Sequence, residues 1–513
     1  MSLVAVARPT RRSGASRPGR AFPLVTVVAA LTVLAVALRL FRLNYGYAHP
    51  VAEYDGGVYL SSALAFVDGR LPYRDYVFVQ PPGIVLLLSP VALLAKAAGT
   101  AQAMGLAKIL VGLVGAAAVP VGALVLRHRG PAATTLGCAV LALQGDAIAS
   151  AWTPLLEPWL VLCCLGAAAL AFTGDELAGS RRLLFAGVLL GLACSIKIWA
   201  VAPAVVLVVV ALAARRGRAP LAGLLLGAGV PLLPFALASP GAFWHQVVVA
   251  QVTRSAPTRT PTAFRLVHMF ATSTPNGEQP DPLEWALLVT VALLVLVLLV
   301  VPWLRRPPRS PLEWFAVGAA VLVVAMLLTP DTFYWHYATF STPFLVLAGA
   351  LRLPPRWGRR PAVAVASVAV LVLAVLVVPR SVRSTHPYDN HRALQAAIPK
   401  GACVVSSTPG ATIAADRVST RGSCPPLFDP FGQILAATGG QAPSEAQLRR
   451  PAVIRLWLAA YRRADFVYLQ PRATPQFPTD GPAQAYLDRN FRRLPLTGPG
   501  QLYERVGPDA GSA

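Results

Sequence analysis

The sequence predicts a polytopic α-helical membrane protein carrying a small α/β domain at its C-terminal end. Three observations carry that fold class. Of the 513 residues 55% are hydrophobic and only 13% charged, with a mean hydropathy of +0.58, whereas soluble domains carry about a quarter charged residues. The apolar residues fall in blocks of 15 to 24, close to the roughly 20 that cross hydrocarbon at about 1.5 Å per residue. From residue 380 the blocks stop, and 134 residues of ordinary polarity follow. Intrinsic disorder, a fibrous fold and a secreted disulfide mini-protein are excluded.

The N-terminal Arg8–Arg20 resembles the basic region of a signal peptide. The apolar run at 22–41 is too long for a signal core, and no small-residue cleavage site follows, so it reads as an uncleaved first span. Further spans are expected near 103–126, 132–149, 158–174, 183–197, 199–214, 219–237, 283–304, 311–329, 336–351 and 361–379. The stretch Ile84–Ala98 is ambiguous, being about 15 residues long with Pro90 and Lys96 inside it. Charge parity decides it. If it lies in the interface, Arg127/Arg129, Arg181/Arg182, Arg215/Arg216/Arg218, Arg305/Arg306/Arg309 and Arg352/Arg356/Arg359/Arg360 share the side of the N-terminus; if it spans, all fourteen face outward, against the positive-inside rule. The expectation is eleven spans in the cell membrane, N-terminus cytoplasmic and C-terminal domain extracytoplasmic. The net charge of +23 then reports topology and attraction to anionic lipid in the bilayer, not nucleic-acid binding.

This topology leaves 42–102, 238–282 and the domain 380–513 outside, and makes 1–379 the transmembrane domain. In the outer domain Ala402–Ser406 and Asp465–Leu469 read as short buried strands and Leu448–Arg462 as the helix between them, with a closing strand near Leu502–Val506. Cys403 and Cys424 are the two cysteines outside the apolar blocks. An oxidising outer compartment favours a bridge between them, which contributes roughly 3 kcal/mol in the chain-entropy account.

Chemistry is expected where polar residues gather against expectation. The first outer loop holds Glu53, Asp55, Asp68 and Asp75 in an acid-poor chain, and Val58–Val67 can form a short helix suited to the membrane surface. Glu157 lies in a short outer turn on the same side. Lys108 and Lys197 are ionisable groups inside spans, costly there and functional candidates by default; snorkelling of Lys197 to the interface is the rival reading. His336, between Trp335 and Tyr337, fits either a site or an interfacial aromatic belt.

The order of a basic tail, a span, an acidic first loop, Gly56-Gly-Val-Tyr59, Gly69-Arg-Leu-Pro-Tyr-Arg74-Asp75-Tyr76 and Gln80-Pro-Pro-Gly83 resembles the GT-C glycosyltransferases. Lys108, Glu157, the stretch Gly187 to Lys197 and the turn Phe333-Tyr-Trp-His-Tyr337 extend the likeness over about 1–350. It is nearest in pattern to protein O-mannosyltransferase-like, aminoarabinose transferase-like and polyprenyl-phosphate-mannose-dependent enzymes. The resemblance implies a GT-C transmembrane fold with juxtamembrane helices in the first loop. It implies transfer of a mannose- or arabinose-like sugar from a polyprenyl-phosphate donor to a glycan, lipid or protein acceptor. Asp55 is then the general base, aided by Glu157 and Glu53; Lys108, Lys197, Arg254 and His336 are candidates for the donor phosphate; Tyr59, Arg74, Asp75 and Gln80 belong to the first-loop substrate site. Many relatives carry Asp-Glu where this chain has Asp55-Gly56, which leaves the second acid's role to Glu53. A divalent cation on Glu53, Asp55, Glu157 and a His is possible in principle, though no zinc-type spacing is present. The rival class is a transporter or flippase of a lipid-linked envelope precursor, whose inverted repeats the sequence lacks.

Overall fold

The computed structural model describes residues 22–41, 54–271, 282–353, 390–420, 422–472, 474–498 and 500–506. Glu53 and the stretch 361–379 lie outside these residues.

The apolar blocks among the described residues form helices. In chain order they are α1 (Phe22–Leu40), α2 (Tyr54–Val67), α3 (Gly83–Ala98), α4 (Thr100–Leu126), α5 (Pro131–Leu143), α6 (Gly145–Ala149), α7 (Glu157–Ala171), α8 (Ser180–Ile196), α9 (Val201–Ala213), α10 (Arg218–Ala238), α11 (Pro240–Trp244), α12 (Ala250–Val252), α13 (Thr262–Phe270), α14 (Pro282–Arg305), α15 (Pro311–Leu328) and α16 (Ala338–Ala350). Among the described residues four segments are long and apolar enough to cross a membrane: α4 with the turn after it, α10, α14 and α15. Leu24–Leu40 of α1, Gly83–Ala98, Pro131–Leu143, Glu157–Ala171 and Ile198–Ala213 are shorter apolar helices of 10–17 residues. The run expected as one span at 132–149 is two helices, because Gln144 takes an extended conformation and its side chain caps α6 through the Ala147 N–H at 2.5 Å.

Arginines from each of the five clusters, Arg129, Arg182, Arg216, Arg306 and Arg352, meet at one end of the bundle. Arg129 joins Asp175 at 2.6 Å and Glu313 at 3.2 Å and donates to the Leu351 carbonyl, while Arg352 donates to the Arg306 carbonyl and Arg216 to that of Leu177. The hairpin β1 (Phe172–Thr173) and β2 (Glu176–Leu177) lies at this end, held by Arg182. Helix α3 does not reach it. A Cβ on Gly83, at its start, would touch Ser195 at the far end of α8, and one on Gly99, just after its end, would touch Asp416, which is bonded at the start of α4. Both termini of α3 are therefore at the end opposite the arginines, and the helix lies across the bundle.

The C-terminal region adds α17 (His391–Ala397), β3 (Val404–Ser406), α18 (Pro409–Ala414), α19 (Pro430–Ala437), α20 (Glu445–Leu448), α21 (Pro451–Arg463), β4 (Phe466–Leu469), α22 (Gly481–Asn490), β5 (Phe491–Leu494) and β6 (Gln501–Arg505). The sheet order is β3-β4-β6-β5, parallel at β3–β4 and antiparallel elsewhere. Trp457 and Tyr461 of α21 are fully buried in its core. A Cys403–Cys424 disulfide, with a Cα separation of 5.3 Å, ties β3 to the segment before α19.

That segment is laced to the membrane domain at four points. Asp416 accepts from the Ala101 N–H (2.9 Å), Thr420 donates to Asp68 (2.7 Å), Arg70 donates to the Gly422 carbonyl (2.7 Å) and Tyr54 donates to Asp429 (2.7 Å). Helix α2 is consequently not open on a surface, as its amphipathic reading suggested, but buried from Gly56 to Ala65. At Gly57 the two domains meet backbone to backbone, since a Cβ there would lie 2.3 Å from the Gly410 nitrogen. Gly57→Ala is expected to cost about 1–3 kcal/mol by overpacking and to loosen the C-terminal region. Lower thermal stability with faster proteolysis near residue 410 would show this, and a wild-type cleavage rate would contradict it.

Candidate active site

Helix α2 begins at Tyr54, which puts Asp55 in its first turn, where a carboxylate is favoured by the unpaired backbone N–H groups. Facing it is His336, in the 3₁₀ turn Trp335–Tyr337, with Nε2 3.7 Å from Asp55 Oδ2. The other ring nitrogen, Nδ1, is 3.1 Å from Glu157 Oε2. Glu157 is fully buried at the start of α7, and its Oε1 accepts from Lys197 Nζ at 2.7 Å. Lys197 occupies the extended break between α8 and the turn leading to α9, its ammonium 3.8 Å from the Trp199 ring centre and 4.1 Å from that of Tyr337. Lys197, Glu157, His336 and Asp55 thus form one line, in which a buried ion pair orients an imidazole whose free edge faces an acid.

The turn carrying His336 is held from below. Arg265 of α13 is fully buried and donates to the carbonyls of Leu327, Pro330 and Asp331. One turn on, His268 Nδ1 lies 3.0 Å from Asp146 of α6, also fully buried. Sequence reasoning missed this pair, because Asp146 sits inside what reads as a continuous span.

A cavity of about 250 Å³ opens over Asp55 and His336. Tyr54, Tyr59 and Gln80 from the segment between α1 and α3 line it, with Arg254 from the segment between α12 and α13 and Asp429, Phe431, Arg472 and Gln476 from the C-terminal region. The Arg254 guanidinium lies 4.8 Å from the Phe431 ring and 5.8 Å from that of Tyr334, and its Nε has no hydrogen-bond partner among the described residues. Several expected residues are elsewhere. Arg74 and Asp75 pair with each other at 2.8 Å on the outside of the loop, where Asp75 also accepts from the Leu71 N–H. Lys108 is buried in α4 and does not line the cavity. Glu157 and Lys197 lie behind His336 rather than at the mouth. No group of three His, Cys, Asp or Glu side chains among the described residues is arranged to hold a metal. The second acid of the Asp-Glu pattern has no room at Gly56, where a Cβ would lie 2.3 Å from Thr153 Oγ1.

Asp429 was not foreseen. Phe428-Asp-Pro reads only as a helix start, and Asp429 does cap α19, accepting from the Gly432 N–H at 2.8 Å. Burial pushes its carboxyl up to about 6 from 3.8. The unfolded chain therefore releases this proton first, so folded stability falls as pH rises from about 4 to 6 and stays lower above, by roughly 2–3 kcal/mol. Asp429→Asn keeps an oxygen for both hydrogen bonds and is expected to melt higher than wild type near neutral pH, the gap closing toward about pH 4. Thermal melts across pH test this; a less stable Asn variant near neutrality would contradict it.

Residues 78–330 match the model of glycosyltransferase family 87. The chain has the GT-C glycosyltransferase fold. The ArnT structure from Cupriavidus metallidurans bound to undecaprenyl phosphate is 15% identical, with a TM-score of 0.57 over 97% of this chain and 100% of that one. The Archaeoglobus fulgidus oligosaccharyltransferase in its apo form is 13% identical, with a TM-score of 0.55 over 88% of this chain and 70% of that one. At these identities the likeness is one of fold. No curated protein matches the sequence. Within this GT-C fold the family match includes Glu157, Lys197 and Arg254 but begins after Asp55 and ends before His336.

Proposed function

We propose that the protein moves a mannose- or arabinose-like sugar from a polyprenyl-phosphate donor to an acceptor hydroxyl of the cell envelope, in this cavity, on the extracytoplasmic face. The single observation that carries this reading is the line Lys197–Glu157–His336–Asp55 ending at a cavity that also holds the Arg254 guanidinium. A family match and a neighbour bound to undecaprenyl phosphate support the donor class.

Asp55 takes the proton of the acceptor hydroxyl as its oxygen bonds to the anomeric carbon. The bond from that carbon to the phosphate oxygen breaks, and polyprenyl phosphate leaves with the electron pair. The charge that develops on the phosphate is met by Arg254, whose planar fork suits phosphate. His336 stands close enough to Asp55 for one hydroxyl oxygen to bridge them, which aims the attacking lone pair. By this reading 1–379 is the catalytic domain and 380–513 its extracytoplasmic cover.

Arg254→Met is expected to raise the donor KM by about ten- to a hundredfold, the range for losing a charge-assisted phosphate contact. Release of polyprenyl phosphate from polyprenyl-phosphate-mannose and polyprenyl-phosphate-arabinose, measured on purified protein in nanodiscs, tests both the reaction and this role. An unchanged KM would remove Arg254 from the phosphate site, and no release from any such donor would end the proposal.

A further inference from the structure

The outer-domain wall of the cavity is built as a binding surface. Gln476 is 5% exposed, lines the cavity, and its Oε1 has no hydrogen-bond partner among the described residues. A buried amide left in that state costs about 1–3 kcal/mol unless something bonds to it. Beside it, Asp429 is also 5% exposed; Oδ1 accepts from Tyr54 and from the Gly432 N–H, while Oδ2 accepts no hydrogen bond among the described residues. Arg472 completes the group, its guanidinium 5.3 Å from the Tyr54 ring. The aromatic side chains of Phe431 and Tyr54 line the same cavity.

We propose that Asp429, Gln476 and Arg472 form the acceptor subsite, and that the group bound there is a saccharide. Planar carboxylate, amide and guanidinium groups bond adjacent hydroxyls two at a time, and aromatic faces pack against the C–H face of a sugar ring. An alkyl chain would leave the polar atoms unpaired. A peptide presents one hydroxyl among amides, and the cavity, at about 250 Å³, is below even the usual ~300–1,000 Å³ of small-molecule pockets. The arrangement also gives the C-terminal domain a reason to be fastened beside α2, since Asp429, which lines the cavity, is bonded to Tyr54. The subsite rests on the transferase reading for its role, but its occupancy is measured without any donor.

The test is saturation-transfer NMR on the full chain in nanodiscs, with the methyl glycosides of mannose, arabinose, glucose and galactose and a threonine tripeptide as probes. At least one glycoside is expected to bind wild type and Asp55→Asn alike, and Gln476→Ala and Asp429→Asn to weaken it by about tenfold or more, the scale of one lost hydrogen bond in a dry site. Gln476 Oε1 makes no hydrogen bond among the described residues, so Gln476→Ala breaks no internal bond of that oxygen and decides the matter by itself. Glycoside binding unchanged in both variants, binding of the tripeptide alone, or no glycoside bound to wild type would overturn the proposal. If Asp55→Asn turns over normally while Gln476→Ala loses the glycoside, the subsite stands and the catalytic reading falls.

Discussion

Asp55→Asn is expected to lower turnover by on the order of 10²–10⁴-fold, the usual loss for a positioned general base, with donor binding and thermal stability near wild type. Asn matches Asp in size and can still accept at one oxygen. The structural losses are small: the favourable placement of a charge in the first turn of α2, worth about 0.3–1 kcal/mol, and a 3.7 Å approach to His336. A merely structural Asp55 would therefore give a nearly silent variant. Single-turnover kinetics with bound donor separates the two accounts, because a base affects the chemical step and leaves the dissociation constant alone. His336→Ala should fall in the same direction, since it removes the partner 3.7 Å from Asp55 Oδ2.

Breaking the Lys197–Glu157 pair has the largest expected effect on stability. Both side chains are almost fully buried and 2.7 Å apart. Removing one partner leaves the other charge in a dry site, at a cost of about 3–5 kcal/mol, whereas replacing both with neutral groups of like volume is often close to neutral. Glu157→Gln and Lys197→Met should each lower the melting temperature strongly, and the double variant should recover most of it. Activity should not recover with it, because the carboxylate 3.1 Å from His336 Nδ1 is gone and with it the charge behind the imidazole. If Lys197 only reached for the interface, Lys197→Met would be mild, and the double variant would be no more stable than Glu157→Gln.

The apolar blocks announced most of the helices because lipid-length hydrophobic runs are a local signal. The Cys403–Cys424 bridge was legible for a similar reason, as the pair stood alone outside those blocks. Asp55, Arg254 and His336 were readable as polar residues at one side of a bilayer. What the sequence hid was partnership. Glu157 and Lys197 were expected at the mouth of the site and on phosphate, yet the helix ends that carry them put each in the other's reach behind His336. Arg74 and Asp75 looked like site residues because of their motif, but adjacent opposite charges on a turn satisfy each other. Asp429, Arg472 and Gln476 enter the cavity from a domain more than 370 residues along the chain from Tyr54, and no local pattern reports such a contact. Asp146 was masked by the apolar residues around it, and the break at Gln144 that exposes its role is a tertiary choice.

The central claim, that this GT-C fold performs sugar transfer and does not merely carry a lipid-linked precursor across the membrane, has a direct measurement. Purified protein in proteoliposomes is given polyprenyl-phosphate-mannose and polyprenyl-phosphate-arabinose labelled in the sugar, and both the chemical fate and the leaflet of the label are followed. The account predicts that label leaves at least one carrier, with free polyprenyl phosphate appearing in equal amount, and that Asp55→Asn suppresses this release. Label that stays on its carrier while exchanging between leaflets, equally in wild type and Asp55→Asn, would contradict it.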